Sequence, residues 1–120
     1  MSRDAGNTRQ NKRLEQLGKL RDEGDDAALL ALMQTGDGRR VLCRIARDLG
    51  WMGEIYDAGS DRQTSYNAGR QSGARTIMGW AERVAPGEFL TAIGEATRRD
   101  VEMNELAKAA TQPQKDEDDG

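Results

Sequence analysis

The sequence predicts an all-α protein, a small bundle of about four helices with flexible polar arms at its N- and C-termini. Apolar residues recur at three- and four-residue spacing along several stretches, which is the period of an α-helix. The breaks between these stretches contain glycine, proline or a helix-capping residue. No stretch shows the alternation of a β-strand, and the 120 residues are enough for one domain.

The first 24 residues predict a basic N-terminal arm. Residues 1–12 are polar and lack an apolar period, which is typical of a flexible segment. Leu14, Leu17 and Leu20 then indicate a short helical stretch that Gly18 weakens and that ends near Gly24. Residues 1–21 hold six basic and two acidic side chains, six minus two, or a net charge of +4.

The predicted helical domain covers residues 25–110 and begins with two helices. Asp25 or Asp26 is suited to cap the first helix, over residues 27–34. After a turn at residues 35–38, the second helix is expected over residues 38–49 and to end at Gly50. Its predicted core stripe consists of Val41, Leu42, Ile45 and Leu49.

The stretch Asp61–Val84 predicts the central helix. Its apolar face is expected to contain Tyr66, Gly69, Gly73, Ile77, Trp80 and Val84. Glycine inside a helix costs about 1 kcal/mol relative to alanine, so the Gly69/Gly73 pair suggests a compensating close approach of another helix. That helix belongs to the same chain or to another subunit. Gly69, Gly73, Ile77 and Trp80 are therefore the predicted helix-packing residues.

The last helix is expected to start at Pro86 and to project beyond the core in its charged second half. Residues 111–120 form a predicted acidic tail. Lys115 stands against four acidic residues there, one minus four, or a net charge of −3. Between the second and central helices, Trp51 lies in a glycine-punctuated segment that is expected to fold over the core or to contact a partner.

The composition excludes several kinds of site. The chain has no histidine and one cysteine, Cys43, so it has no internal disulfide, no zinc site of the usual Cys/His kind and no His-based triad. Cys43 lies among apolar residues and is interpreted as a small buried side chain. We predict no enzyme activity, no catalytic or metal-binding residue and no cofactor. No apolar run suits a membrane span or a signal peptide, so synthesis in the cytoplasm is expected.

Arginines and the basic arm are the predicted partner-binding residues. Arginine suits interfaces and phosphates better than lysine does, because its planar fork donates several hydrogen bonds. The alternatives are an ordinary solvated helix surface, with pairs such as Arg44 and Asp48, and a surface that binds nucleic acid. The predicted partner-binding set is Arg3, Arg9, Lys12, Arg13, Arg39, Arg40, Arg70, Arg75 and Trp51.

Two segments, LMQTGDGRRVLCRIARDLGW and NAGRQSGARTIMGWAERVAPGEFLTAIGEA, together show a motif order. A Leu/Met-rich turn of helix is followed by Gly-Arg, an aliphatic helix and a closing glycine before an apolar residue. A variable loop, an Asn/Glu-x-Gly-x-Arg-like helix, and a proline before a helix with a glutamate come next. The matching residues are Leu32, Met33, Gly38, Arg39, Leu42, Ile45, Gly50, Trp51, Asn67, Ala68, Gly69, Arg70, Gly73, Pro86, Phe89 and Glu95. Over residues 29–96 the chain resembles a family of small virion-associated proteins of tailed bacteriophages, chiefly short-tailed ones.

The resemblance implies a helical structural protein of the virion, made in the host cytoplasm. It implies a place at the portal or head–tail junction, or among internal proteins ejected with the genome. Other virion proteins are the expected partners, a homo-oligomer is the expected state, and non-specific contact with DNA stays open. Gln71-Ser72 departs from the basic or apolar residues expected there. The alternative from another class is a small DNA-binding regulator that uses an arginine-rich helical face.

Overall fold

The computed structural model describes the backbone of residues 2–53 and 57–112, and the side chains of the same ranges from residue 6 onward. In this part of the chain there are four helices and no strand, and 88% of the residues are helical. Helix α1 spans Ser2–Met33, α2 Gly36–Asp48, α3 Asp61–Val84 and α4 Pro86–Thr111. The predicted all-α bundle is confirmed.

Helix α1 corrects the expected organisation of the N-terminal third. The sequence predicted a flexible arm, a short helix ending near Gly24 and a second helix, but α1 continues from Ser2 through Gly18 and Gly24. Each glycine costs helix stability without forcing a break, and the residues around Gly18 are mostly good helix formers. The C-terminal turns are held in place by Leu29 and Met33, which are buried in the core. The division of the chain at residues 24 and 110 stays a prediction.

Helix α2 begins at a tight contact with the end of α1. The Thr35 hydroxyl accepts a hydrogen bond from the Gly38 N–H at 3.0 Å and donates one to the Leu32 carbonyl, also at 3.0 Å. Gly50, at φ 85°, follows the helix end as predicted.

The buried face of α2 differs from the predicted stripe. It consists of Gly38, Leu42 and Ala46. Val41 and Ile45 are 55% and 46% exposed, so their assignment to the core was wrong. The small residues face the core here because α2 approaches its neighbours closely.

Helix α3 has the predicted bounds but presents a different face to the core. Its buried residues are Gln71, Ala74, Met78 and Ala81. Tyr66 is 60% exposed, and Gly69 and Gly73 are both exposed with no atom of another element within 4 Å of an added Cβ. A close approach of another helix of the same chain at Gly69 and Gly73 is therefore wrong, and a contact between subunits stays a prediction.

The other two predicted packing residues of α3 do contact the core. Ile77 and Trp80 are half-buried and pack against the central cluster. The Trp80 Nε1–H donates a hydrogen bond of 2.7 Å to Asp26 on α1, so the indole also joins two helices. The core itself is dominated by small and flexible side chains: Leu29, Met33, Leu42, Ala46, Met78, Ala81, Ala85, Phe89 and Ala92.

The molecule is long and thin because two helices extend past this core. Its radius of gyration is 23.1 Å and its principal extents are 97 × 39 × 16 Å. A compact chain of this length has a radius of gyration of about 14 Å. Apart from Gly18, residues 6–25 of α1 are exposed, as are residues 100–112 at the other end of the chain. The predicted projection of the second half of α4 is confirmed.

Candidate functional site

A groove of about 510 Å³ lies between α2 and α4, and Trp51 and Met52 of the segment after α2 also line it. Its apolar lining consists of Cys43, Trp51, Met52, Ile93, Ala96 and Met103. Its basic lining consists of Arg40, Arg44, Arg47 and Arg99, with Thr97 and Asp100 beside them. Four arginines and one carboxylate surround an apolar floor, so the groove has the chemistry of a binding surface for an acidic, partly apolar partner.

The arginines of α2 reach the groove because of their spacing. Arg40, Arg44 and Arg47 are separated by four and three residues, which places them on one side of the helix. Arg44 forms an ion pair of 2.9 Å with Asp48, and Arg47 a looser one of 4.0 Å with Asp100. The hydrogen bond from Arg44 lowers the pKa of the Asp48 carboxyl and raises that of the Arg44 guanidinium. Both pairs are exposed, so the arginines remain able to meet another anion.

Arg39 has a structural contact rather than a place in the groove. Its Nε donates a hydrogen bond of 2.6 Å to the Glu95 carboxylate on α4, and its Nη1 one of 2.9 Å to the Met33 carbonyl at the end of α1. The hydrogen bond lowers the pKa of Glu95 and raises that of Arg39. One guanidinium thus joins α1, α2 and α4 and holds α2 at a fixed position beside α4.

The segment around Trp51, at one end of α2, is fixed by an aromatic contact and by two hydrogen bonds. The Trp51 ring meets the Phe89 ring edge-on, with 6.3 Å between centroids and 73° between planes. The Gln71 side chain donates hydrogen bonds to the carbonyls of Gly50 at 3.0 Å and Gly53 at 2.7 Å. Gln71, the departure from the family resemblance, therefore anchors this segment from α3.

Met52 lies beside Trp51 in a conformation that side chains rarely adopt. Its φ is 64° and its side chain is 83% exposed along the groove. Left-handed backbone at a non-glycine residue costs about 1 kcal/mol. An exposed, flexible thioether held at the mouth of a groove is suited to adapt to a partner's apolar side chains.

Cys43 lies in the apolar lining of the groove. Burial raises its pKa above the ordinary value, and its Sγ lies 3.8 Å from the Ala92 carbonyl oxygen. Because the thiolate is the nucleophilic form, this cysteine acts as a packing group. Among the described residues, no three Asp, Glu or Cys side chains are grouped so as to hold a metal ion.

Two of the predicted partner-binding arginines lie away from the groove, on α3. A guanidinium nitrogen of Arg70 donates to the Asp48 carbonyl, and the same group lies 5.7 Å from the centroid of the Tyr66 ring. Arg75 is exposed farther along α3. Arg40 and Trp51 are therefore the two residues of the predicted partner-binding set that line the groove, and a partner-binding role for the others stays a prediction.

The basic residues of the predicted arm lie on the projecting half of α1. Arg9, Lys12 and Arg13 are exposed there, and the side chain of Arg3 lies outside the described residues. Sequence reasoning did not select Arg44, Arg47 or Arg99 for the site. The four-and-three spacing of the α2 arginines was available as a signal for the first two, whereas Arg99 depends on how α4 packs beside α2.

None of the helices in the described ranges is long and apolar enough to cross a membrane. The chain matches no protein-family model, no curated protein and no solved structure. The resemblance to virion-associated proteins of tailed bacteriophages therefore stays a prediction.

Proposed function

We propose that the chain is a non-enzymatic structural subunit that binds neighbouring proteins of a bacteriophage virion through the groove between α2 and α4. The observation that supports this most is the apolar floor of the groove beneath four arginines. A helix or loop with apolar side chains fills such a floor, and carboxylates beside those side chains pair with the rim.

The apolar floor also favours a protein partner over nucleic acid. Duplex DNA is bound mainly through its phosphates, which use arginines and leave apolar side chains such as Ile93 and Met103 uncovered. The predicted arginines of α3 do not join the groove, and the net charge of the whole chain is −3. The DNA-binding regulator remains the second candidate, and the cluster of Arg40, Arg44, Arg47 and Arg99 is what favours it.

The virion setting comes from the sequence resemblance and is supported by the shape. An extended molecule of 97 Å with projecting helices reaches several neighbours at once, as a subunit at the portal or tail junction does. An internal protein ejected with the genome has the same need for contacts with other virion proteins. Both places fit the proposal, and both require the chain to be present in the particle.

The groove is tested by titrating two fluorescent ligands: a synthetic helix with leucine on one face and glutamate on the other, and a duplex DNA. We expect the wild type to bind the acidic helix with micromolar affinity and this binding to weaken as the salt concentration is raised. Binding is also expected to change the fluorescence emission of Trp51. Arg40→Glu with Arg99→Glu is expected to weaken this binding at least about tenfold, because two favourable charges become repulsive.

The matched control is Arg62→Glu with Arg75→Glu, which makes the same charge change on exposed arginines of α3 outside the groove. It is expected to bind the acidic helix as the wild type does. The contrary result is a wild type that does not bind the acidic helix but binds duplex DNA tightly, with the DNA binding lost in the groove variant. It would favour the DNA-binding regulator over the structural subunit.

A further inference from the structure

The core-facing stripe of α4 continues past the end of the bundle. Phe89, Ala92, Ala96 and Arg99 are buried or half-buried along it, at alternating spacings of three and four. The same spacing next reaches Met103, Leu106 and Ala110, which are exposed, the first two at 63% each. These three residues are called the distal α4 seam. A stripe of this kind usually packs against another helix along its whole length.

A second exposed apolar stripe lies on the projecting half of α1. Leu14, Leu17 and Leu20 are 65%, 56% and 65% exposed. At 100° per residue the centre of this stripe lies about 140° around the helix from the face that carries Leu29 and Met33, so the stripe is not an extension of the chain's own core stripe. These three leucines are called the α1 leucine ridge.

The charges around the two stripes are opposite. Arg13 and Arg21 lie on the ridge side of α1, whereas Asp100 and Glu102 flank the seam of α4. Two ridges placed together bring arginines against arginines, and two seams bring carboxylates against carboxylates. A ridge placed on a seam brings opposite charges together and covers both apolar stripes.

The order of charge along each helix selects one direction. Along α1 the sequence runs from basic Arg9, Lys12 and Arg13, through the leucines, to acidic Asp22, Glu23 and Asp25. Along α4, Arg98 and Arg99 precede the seam. Antiparallel packing places Asp22, Glu23 and Asp25 of one copy near Arg98 and Arg99 of the other, whereas parallel packing places Arg9, Lys12 and Arg13 there and brings like charges together.

We propose that the α1 leucine ridge of one copy packs antiparallel on the distal α4 seam of a second copy. Each copy offers one ridge and one seam, so the contact is head-to-tail and builds either a closed ring or a filament, depending on the rotation between copies. This inference concerns self-assembly and does not depend on the groove's partner or on a virion, although Met103 and the flanking Asp100 also line the groove.

The test uses two variants that each lose one half of the contact. One carries Leu14→Gln, Leu17→Gln and Leu20→Gln, and the other carries Met103→Gln and Leu106→Gln. All five side chains are more than half exposed, so both variants are expected to keep the wild-type circular dichroism and melting temperature. Mass is measured by sedimentation and light scattering from micromolar to millimolar protein.

We expect wild-type chains to grow beyond two copies with concentration, and each variant alone to stay at one copy. An equimolar mixture of the two variants then forms a pair of chains and grows no further, because one intact ridge and one intact seam remain. Leu90→Gln, at an α4 position that is 70% exposed but outside the seam, is expected to assemble as the wild type does.

Three results would overturn the proposal. They are a wild type that stays monomeric at every concentration, a mixture that remains monomeric, and a seam variant that still pairs through its own ridge. The antiparallel direction of the ridge on the seam is tested by disulfide formation between copies on a Cys43→Ala background. Leu14→Cys is expected to form a disulfide with Ala110→Cys and not with Met103→Cys. The reverse preference would contradict the antiparallel arrangement.

Discussion

At the residue scale, Gly38 is the position where α2 comes closest to α1. A Cβ added there would lie 2.1 Å from the Leu32 carbonyl oxygen and 2.7 Å from the Thr35 hydroxyl. The first of these atoms belongs to the backbone of α1, so it cannot move aside as a flexible side chain does. The glycine in the Gly-Arg motif is therefore required by the packing of the two helices.

We predict that Gly38→Ala lowers the free energy of unfolding by about 3 kcal/mol or more, because the two helices must separate to admit the methyl group. Urea denaturation followed by circular dichroism measures this change. Wild-type stability in the variant would show that α2 does not pack on α1 at this distance.

Gly73→Ala is predicted to have the opposite effect. An added Cβ at Gly73 has no neighbour within 4 Å, so the substitution only removes a glycine from a helix interior and stabilises the fold by about 1 kcal/mol. The same denaturation experiment measures it. If α3 packs on another subunit at Gly73, the variant would instead lose assembly in the sizing experiment while its monomer gains stability.

Asp26 is a second residue on which the helix contacts depend. It accepts the Trp80 indole hydrogen bond and forms an ion pair of 3.2 Å with Arg83, and these contacts lower its pKa below the ordinary value of 3.8. The ionised form is the one that the folded state favours. The contribution of ionised Asp26 to the free energy of unfolding is therefore present above the unfolded-state pKa. It is lost as the pH falls through the folded-state pKa.

We predict that Asp26→Asn lowers the melting temperature at neutral pH and flattens its decline below about pH 4. Melting temperatures measured by thermal unfolding at about ten pH values between pH 2 and 7 report both effects. Glu82→Gln, on an exposed position of α3, is the control and should follow the wild-type curve. A parallel acid decline in Asp26→Asn and wild type would show that Asp26 makes no stabilising contact.

At the element scale, the bounds of α3 were easier to predict than the face that it buries. The caps and breaks around α3 lie in adjacent residues, and its predicted ends at residues 61 and 84 are confirmed. Its buried face was misassigned because the predicted stripe placed Tyr66, Gly69 and Gly73 inside, and all three are exposed. The core instead takes Ala74, Ala81 and a methionine at this helix, since small residues allow close packing.

The groove shows the same limit. Arg40 and Trp51 were selected from the sequence because arginine and tryptophan are common at interfaces. Arg99 and Met103 line the same groove only because α4 lies beside α2. These residues are more than 45 positions away in the sequence, so no local sequence pattern predicts that contact. The contact of Arg39 with Glu95 carries no local signal for the same reason, because the two residues are distant in sequence.

At the scale of the whole molecule, exposure and charge agree with assembly. A bundle that leaves residues 6–25 and 100–112 in solvent does not bury the apolar stripes on them. The segregation of basic and acidic residues to opposite ends was visible in the sequence, but the two exposed stripes between them became visible only once the core was known. Together they favour a subunit that is completed by its neighbours.

The proposed virion role is tested most directly by quantitative mass spectrometry of purified particles of a bacteriophage whose genome carries the gene for this chain. We predict that the chain is present at a constant ratio to the portal protein from one preparation to the next, and that a virus carrying Arg40→Glu with Arg99→Glu incorporates less of it. A chain that is abundant in infected cells but absent from purified particles would contradict its role as a virion subunit.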